Sequence, residues 1–293
     1  MSLAGIVAAL GGELHAGGSI AHVPAPGHSR ADRSVSLLLD GDRVVVHGFG
    51  ASDWREVRDY LRGLGLIDFE GRLTGRGLGP TTGGPAGRPA APVRTAAAVA
   101  LWEAARPLRE GDLCHRHFQR RRIAGAVLSP ALRRHPAAPV SVFLREGPTR
   151  PALLAAVHAP NGDLGAVEIT YLEPDGRMAE RLRLPRKTVG VIAPGSAVRL
   201  DRPAPALLVA EGVMTTLSAM ARFGLPGWAL LSAHNLSNWT PPAGVARIII
   251  AADRGPAGEG AAARLSRRLR TAGLECLVRL PPASFGDWND AAP

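Results

Sequence analysis

Cysteine and lysine are almost absent from this 293-residue chain: there are two cysteines, Cys114 and Cys276, and one lysine, Lys187. Two cysteines this far apart, one in a helical and one in a buried-strand context, build neither a disulfide framework nor a zinc site and fit a reducing cytoplasm. No apolar run reaches the length of a membrane span. The opening Ala4–Leu10 run is apolar but has no positive segment before it, so a soluble cytoplasmic protein with no membrane partner is expected. A Gly-x-x-x-x-Gly-Lys-Ser/Thr fingerprint is also missing, so any unwinding of a duplex must come from a separate helicase.

Arginine, by contrast, is abundant, and it supplies nearly all of a net charge of +10. Its fork of donors suits phosphate, which makes nucleic acid the first partner to consider. A composition rich in Ala, Gly, Pro and Arg also follows from GC-rich coding, and that alternative stays open.

The densest alternation of strand and helix patterns runs from Ala206 to Asp290. Leu207–Ala210 is a short buried-strand run ended by Glu211-Gly212. Arg247–Ala252 is a second, ended by Asp253, and Glu275–Leu280 is a third, followed after a loop by Asp287-Trp288-Asn289-Asp290. Continuous apolar runs separated by helices predict an α/β domain with a parallel sheet covered on both faces. The carboxyl ends of such strands open on one crevice, where Glu211, Asp253, and Asp287 or Asp290 are expected to meet. Gathered carboxylates repel one another unless a cation lies between them. Oxygen ligands favour a hard ion, Mg²⁺ or Mn²⁺, with positions left for water and phosphate, and phosphoryl transfer uses that arrangement. The alternative is that each acid only caps the helix after it.

The stretches Leu-Leu-Val-Ala-Glu211-Gly212, Asp253-Arg254-Gly255-Pro256-Ala257-Gly258 and Gly286-Asp287-Trp288-Asn289-Asp290 resemble the toprim domain of primases encoded by bacterial, phage and plasmid genomes. That family carries a Glu after its first strand, an Asp-x-Asp pair after a later one and a further acidic motif beyond. Gly255 stands where the second Asp of the pair is expected, so one metal ligand is missing. The resemblance implies Mg²⁺ held by Glu211, Asp253, Asp287 and Asp290, with single-stranded DNA and nucleoside triphosphates as partners. It implies synthesis of short primers by nucleotidyl transfer. Toprim domains also serve nucleases, and a weakened DNA-binding accessory protein of a mobile element is a third reading, favoured by the substitution at Gly255.

Ahead of this region, Ser34–Leu39, Asp40-Gly41-Asp42 and Arg43–His47 read as strand, turn and strand. Asp53 is placed to cap a helix whose buried face is Trp54, Val57, Leu61 and Leu64. The pattern resembles the zinc ribbon at the N-terminus of many such primases, whose ligand positions fall here on Val23, Ala25, His28, Gly48 and Ser52. Only His28 is able to ligate, so no zinc is expected. The segment keeps the hairpin and helix, and its remaining role is contact with DNA through Arg30, Arg33, Arg43 and Arg55.

Gly and Pro crowd the stretch from Gly71 to Arg94, which reads as a linker. Helical patterns follow, and Cys114–Arg122 is the densest basic run, with Arg120, Arg121 and Arg122 as phosphate ligands and Phe118 as a stacking partner. Residues 139–200 show strands separated by tight turns. They resemble the mixed subdomain that precedes toprim in the same primases. In that resemblance Arg183, Arg186, Lys187 and Arg199 face the acidic crevice and hold template phosphate or nucleotide, and Arg254 touches phosphate beside the missing acid. A surface charge cluster is the competing explanation. His234 is placed in a loop opening toward the crevice. The expected domains are residues 1–70, a linker over 71–94, a primase-like subdomain over 95–200 and toprim over 201–293.

Overall fold

In the computed structural model, residues 2–292 are described apart from 27, 31, 49–53, 69, 75–88, 124–128, 144, 145 and 183. The chain divides into two compact units, Met1–Pro89 and Ala90–Pro293.

The first unit opens with α1 (Leu3–Leu10), followed by β1 (Glu13–His15), β2 (Ile20–Val23), β3 (Val35–Asp40), β4 (Arg43–Gly48) and α2 (Trp54–Gly63). The four strands form an antiparallel sheet in chain order. The hairpin expected around Asp40-Gly41-Asp42 joins β3 to β4, closed by the Asp40–Arg43 pair. Alternation along β3 buries Val35 and Leu37 with Leu3, Ile6, Val57 and Leu61. The buried face of α2 is narrower than its sequence suggests, because Trp54 and Leu64 are 44% and 48% exposed. Asp53, Gly50 to Ser52 and the Arg55 side chain lie outside the described residues. Residues 71–74 fold back on the sheet: Val44 N–H donates to the Gly71 carbonyl and Leu73 N–H to that of Asp42. The segment read as a linker from Gly71 is thus packed at its start, and by Ala91 it is already helical.

Val23 and Ala25, two of the positions where ribbon ligands would be expected, are buried among apolar side chains. Asp32 ties the neighbouring loop instead. Its carboxylate accepts from Ala25 N–H at 3.0 Å, Ser34 N–H at 3.2 Å and Ser34 Oγ at 2.5 Å, and lies 3.2 Å from His28 Nδ1. These donors favour the ionised form and hold Asp32 down at about 2, with the Ser34 hydroxyl the largest cause.

The second unit begins with α3 (Ala91–Ala104), β5 (Arg106–Pro107), α4 (Leu113–Arg120), β6 (Leu132–Pro139), β7 (Thr149–His158), β8 (Leu164–Tyr171) and β9 (Arg186–Gly190). Strands β5 to β9 make one antiparallel sheet in chain order. Ten-residue β7 is apolar on both faces, and so both are covered. Leu154 joins α3 residues Ala98 and Leu101, with Val167, Ile169 and Tyr171. Leu153, Ala155 and Val157 face the other way, toward α4 residues Cys114 and Phe118 and toward the C-terminal part of the unit.

That C-terminal part contains β10 (Val198–Arg199), β11 (Ala206–Ala210), α5 (Val213–Phe223), β12 (Gly227–Ala229), α6 (Ala233–Asn238), β13 (Arg247–Ala251), α7 (Pro256–Thr271) and β14 (Glu275–Arg279). The sheet order is β10-β12-β11-β13-β14. All neighbours are parallel except β10, which adds antiparallel to β12. Alternate residues serve the two faces as the period of a strand requires: Leu207, Val209, Ile248 and Ile250 pack toward α6 and α7, while Leu208, Ala210, Ile249 and Ala251 pack toward Ala219 and Trp288. The expected α/β class, with a parallel-type sheet preceded by a mixed α+β subdomain, is what the structure has. Among the described residues no helix is long and apolar enough to cross a membrane.

Candidate active site

Ala210 pairs with Ala251 across the two central strands, so the chain leaves both at the same edge of the sheet. Glu211 follows β11 directly, and its backbone carbonyl accepts from Leu231 N–H at 2.7 Å. Asp253 follows β13 by two residues. Its own carbonyl lies 2.6 Å from where a Cβ on Gly258 would stand, so glycine there lets the first turn of α7 close over Asp253. After β14 the chain returns across this edge. Arg254 N–H donates to the Gly286 carbonyl at 2.8 Å, and Arg254 Nε donates to the carbonyls of Pro281 at 2.9 Å and Pro282 at 3.3 Å.

The Asp287-Trp288-Asn289-Asp290 turn is anchored by its middle residues. Trp288 is buried against Phe223, with ring centroids 5.0 Å apart. Buried Asn289 donates through Nδ2 to the Arg121 carbonyl and to Ser218 Oγ, both at 2.9 Å, and accepts from Arg121 Nη1 at 2.7 Å. Asp287 and Asp290 flank this anchor on the open side, and Asp290 N–H donates to Asp287 Oδ1 at 2.8 Å.

Asp253 feels the charges of the other three carboxylates. Asp253 is pushed up to about 7, first by burial and then by the charges of Glu211, Asp287 and Asp290. Burial also raises Glu211, against the opposing effect of a hydrogen bond from Ala233 N–H. Asp253 Oδ1 is buried with no hydrogen-bond partner. Among the described residues no Arg, Lys or His forms an ion pair with any of the four. An unpartnered carboxylate oxygen beside three further carboxylates is a donor set for a hard divalent cation. Among the described residues no three His, Cys, Asp or Glu side chains are placed to hold a metal ion together. An ion there would use one or two carboxylates and leave its other positions to water and phosphate oxygens.

Gly255 has φ +106 and ψ 164, a backbone that favours glycine, and it caps the N-terminus of α7 with open space where a side chain would project. The missing second acid is therefore accompanied by a backbone that suits no other residue.

The basic residues expected at the crevice divide into held and free. Lys187 Nζ donates to the Val140 carbonyl at 2.7 Å beside the Tyr171 ring, and burial lowers its pKa. Arg199 Nη2 donates to the carbonyls of Ala159 and Pro160, with its guanidinium 4.9 Å from the Trp228 ring centre. Arg254 ties the returning loop as described. Arg122 Nη1 donates to the Ala292 carbonyl at 3.2 Å, and Arg120 is shared with Asp175. Arg121 reaches the acidic motif through Asn289, and exposed Arg186 lies close enough to act on both Glu168 and His117. Arg183 lies outside the described residues.

Two expectations need correction. Phe118 is 0% exposed in the core, so it cannot stack on a base. His234 is on α6, not in a loop; Asn235 beside it points inward, and its Nδ2 donates to the carbonyls of Ser196 and Leu230. The Asn289 clamp had no sequence signal beyond a Trp-Asn pair between two acids.

The chain resembles known proteins in two segments. Residues 206–293 match the family model of the Toprim domain, and residues 92–200 match that of a domain of unknown function, DUF7146. No curated protein matches in sequence. Among solved structures, the primase fragment of the bacteriophage T7 primase-helicase protein is 18% identical, with a TM-score of 0.32, over 49% of this chain and 58% of that one. A DNA primase domain from Pseudomonas aeruginosa is 15% identical, with a TM-score of 0.34, over 47% of this chain and 45% of that one. The Aquifex aeolicus primase, with its zinc-binding and RNA polymerase domains, is 12% identical, with a TM-score of 0.43, over 99% of this chain and 79% of that one. The chain thus spans about half the length of the first two. The stretch that carries Glu211, Asp253, Asp287 and Asp290, residues 206–293, is the part of the chain that is similar to the Toprim domain.

Proposed function

We propose that the protein synthesises short primers on single-stranded DNA by metal-dependent nucleotidyl transfer at the Toprim crevice. The observation that carries this reading is the unpartnered Asp253 Oδ1 among Glu211, Asp287 and Asp290. Mg²⁺ or Mn²⁺ bound there would neutralise phosphate oxygens and align a nucleoside triphosphate with the growing end. The chain's own contribution is positional. Trp288 and Asn289 fix the second pair of acids. Arg254 holds the loop that carries them, so its part in the reading is to support the site rather than to bind phosphate.

On the neighbouring wall, a pocket of about 440 Å³ is lined by His117, Arg120, Arg121, Gly176, Arg177 and Glu180 together with Met178. Three guanidiniums at one opening suit the phosphates of template or nucleotide. Arg121 links the pocket to the acidic turn through Asn289. Arg186 adds a further exposed guanidinium on this side. Lys187, Arg199 and Arg122 are expected to contribute through the loops they hold.

A second reading, a weakened DNA-binding accessory protein, is supported by Gly255, since both the acid and a backbone suited to it are missing. Metal-dependent strand cleavage is a third. End-labelled single-stranded DNA incubated with Mg²⁺ or Mn²⁺ and labelled nucleotides separates the three. New short products alone support the primase, shortened substrate supports a nuclease, and unchanged but bound DNA supports the accessory protein.

A further inference from the structure

The last two turns of α7 carry Arg264, Arg267, Arg268 and Arg270, all exposed, and no acidic residue follows Glu259 in this helix. Its opposite face buries Ala261, Ala262, Leu265 and Leu269. Three of the four guanidiniums are held by neutral oxygens. Arg264 Nε donates to Ser237 Oγ at 3.3 Å, Arg268 donates to Thr240 Oγ1 and the Trp239 carbonyl, and Arg270 donates to the Cys276 carbonyl at 2.8 and 3.1 Å. Among the described residues none of the four is paired with a carboxylate. Their charge is uncompensated, and most of their rotamer freedom is already spent.

Two shallow grooves run beside this end of the helix. One, of about 450 Å³, is lined by Arg264, Arg267, Arg268, Thr271 and Ala272. The other, of about 480 Å³, is lined by Ala263, Ser266, Arg267, Arg270, Thr271 and Val278. Arg267 and Thr271, one turn apart, form the ridge between them. No acidic residue lines either groove.

We propose that this end of α7 is a second nucleic-acid contact, which grips the sugar–phosphate backbone of a strand away from the acidic crevice. Backbone contacts to nucleic acid come from Arg and from Ser and Thr hydroxyls, and these are the groups that the grooves offer. Guanidiniums already oriented lose little freedom when they bind. At 1.5 Å per residue they lie roughly 12 to 21 Å along α7 from its start beside Asp253. A strand lying over the carboxylates must run on for several nucleotides to reach them. The contact therefore favours long strands over short ones, and it carries no base specificity. It rests on the reading that the protein works on nucleic acid.

The test is the affinity of the parent and of the double variant Arg267→Glu with Thr271→Glu for a long and a short single-stranded oligonucleotide, across a salt series. Neither substituted side chain is among those tied to Ser237, Thr240, Trp239 or Cys276. For the long strand the variant is expected to bind about tenfold more weakly, with a salt slope shallower by about 1 to 2. The short strand stays within about twofold. Arg267→Gln is the milder variant, expected to weaken long-strand binding about threefold with an unchanged melting temperature. Equal loss on both strands, or no loss on either, overturns the proposal. So does a poly-glutamate peptide whose binding falls in the variant while that of DNA does not. If the parent makes no primers but the length-dependent loss appears, the α7 contact stands and the reading of the reaction falls.

Discussion

Arg121 and Asn289, 168 residues apart in the chain, are joined in both directions: Arg121 Nη1 donates to Asn289 Oδ1 at 2.7 Å, and Asn289 Nδ2 donates to the Arg121 carbonyl at 2.9 Å. The pair couples the basic end of α4 to the turn that presents Asp287 and Asp290. Removing the amide leaves a buried hydroxyl at Ser218 and a guanidinium without their partner. Asn289→Ala is expected to destabilise the second unit by about 2–3 kcal/mol, because unsatisfied buried groups cost more than the bonds they lose. Asn289→Asp, which keeps the acceptor for Arg121 and loses the two donors, should fall between. Denaturant unfolding of the two variants checks the order.

Asp253 gives a pH dependence whose sign follows from its shift. Its folded-state value, about 7, lies above the ordinary 3.8. The native protein therefore binds this proton more tightly than the unfolded chain does. The associated stability is full below about pH 4 and is lost as pH rises through about 7. Asp253→Asn is expected to stabilise the metal-free protein at pH 8 by about 1–2 kcal/mol, a figure already reduced for screening on the open side of the site. Thermal melts at pH 5 and pH 8 should show a clearly larger gain at the higher pH. Added Mg²⁺ should stabilise the parent at pH 8 and leave the variant unmoved.

The alternation of the chain made most of the C-terminal sheet readable in advance. Leu207 to Ala210 and Ile248 to Ala251 are apolar on both faces because helices cover both, and glycines and acids mark where the strands stop. Glu211 and Asp253 were legible for the same reason, since a parallel sheet sends its strand ends to one edge. Trp288 and Asn289 were not, because their partners Phe223, Ser218 and Arg121 lie far away in sequence and no local pattern announces them. Lys187 and Arg199 look like phosphate ligands by charge alone. Their use by the carbonyls of Val140, Ala159 and Pro160 is set by tertiary structure.

Gly255 is held by conformation rather than by space. Its φ of +106 has room around it, so substitution there is a test of backbone strain. Gly255→Ala and Gly255→Asp should each cost about 1–3 kcal/mol. If Asp costs no more than Ala, the new carboxylate adds no repulsion of its own at the crevice. A larger loss for Asp that Mg²⁺ reverses would show that it has joined the metal site.

In the first unit, Asp32 ties Ala25 to Ser34 through its carboxylate, and no zinc is expected there. Chelator should leave its unfolding unchanged, whereas Asp32→Ala should loosen the loop from Ala25 to Ser34. The Asp32 value, about 2, lies below its ordinary 3.8. Its contribution is therefore present above about pH 4 and lost as pH falls through about 2. Hydrogen exchange of the Ala25 and Ser34 amides reads both effects.

The most direct test of the central claim is incorporation of labelled nucleotides on single-stranded DNA with Mg²⁺ or Mn²⁺, comparing the parent with Glu211→Gln and Asp253→Asn. The crevice reading predicts short products from the parent that fall by about a hundredfold or more in each variant, with DNA binding retained, as expected when a metal-holding group is removed from phosphoryl transfer. Products that persist in both variants, or a parent that binds DNA and makes none, would contradict it.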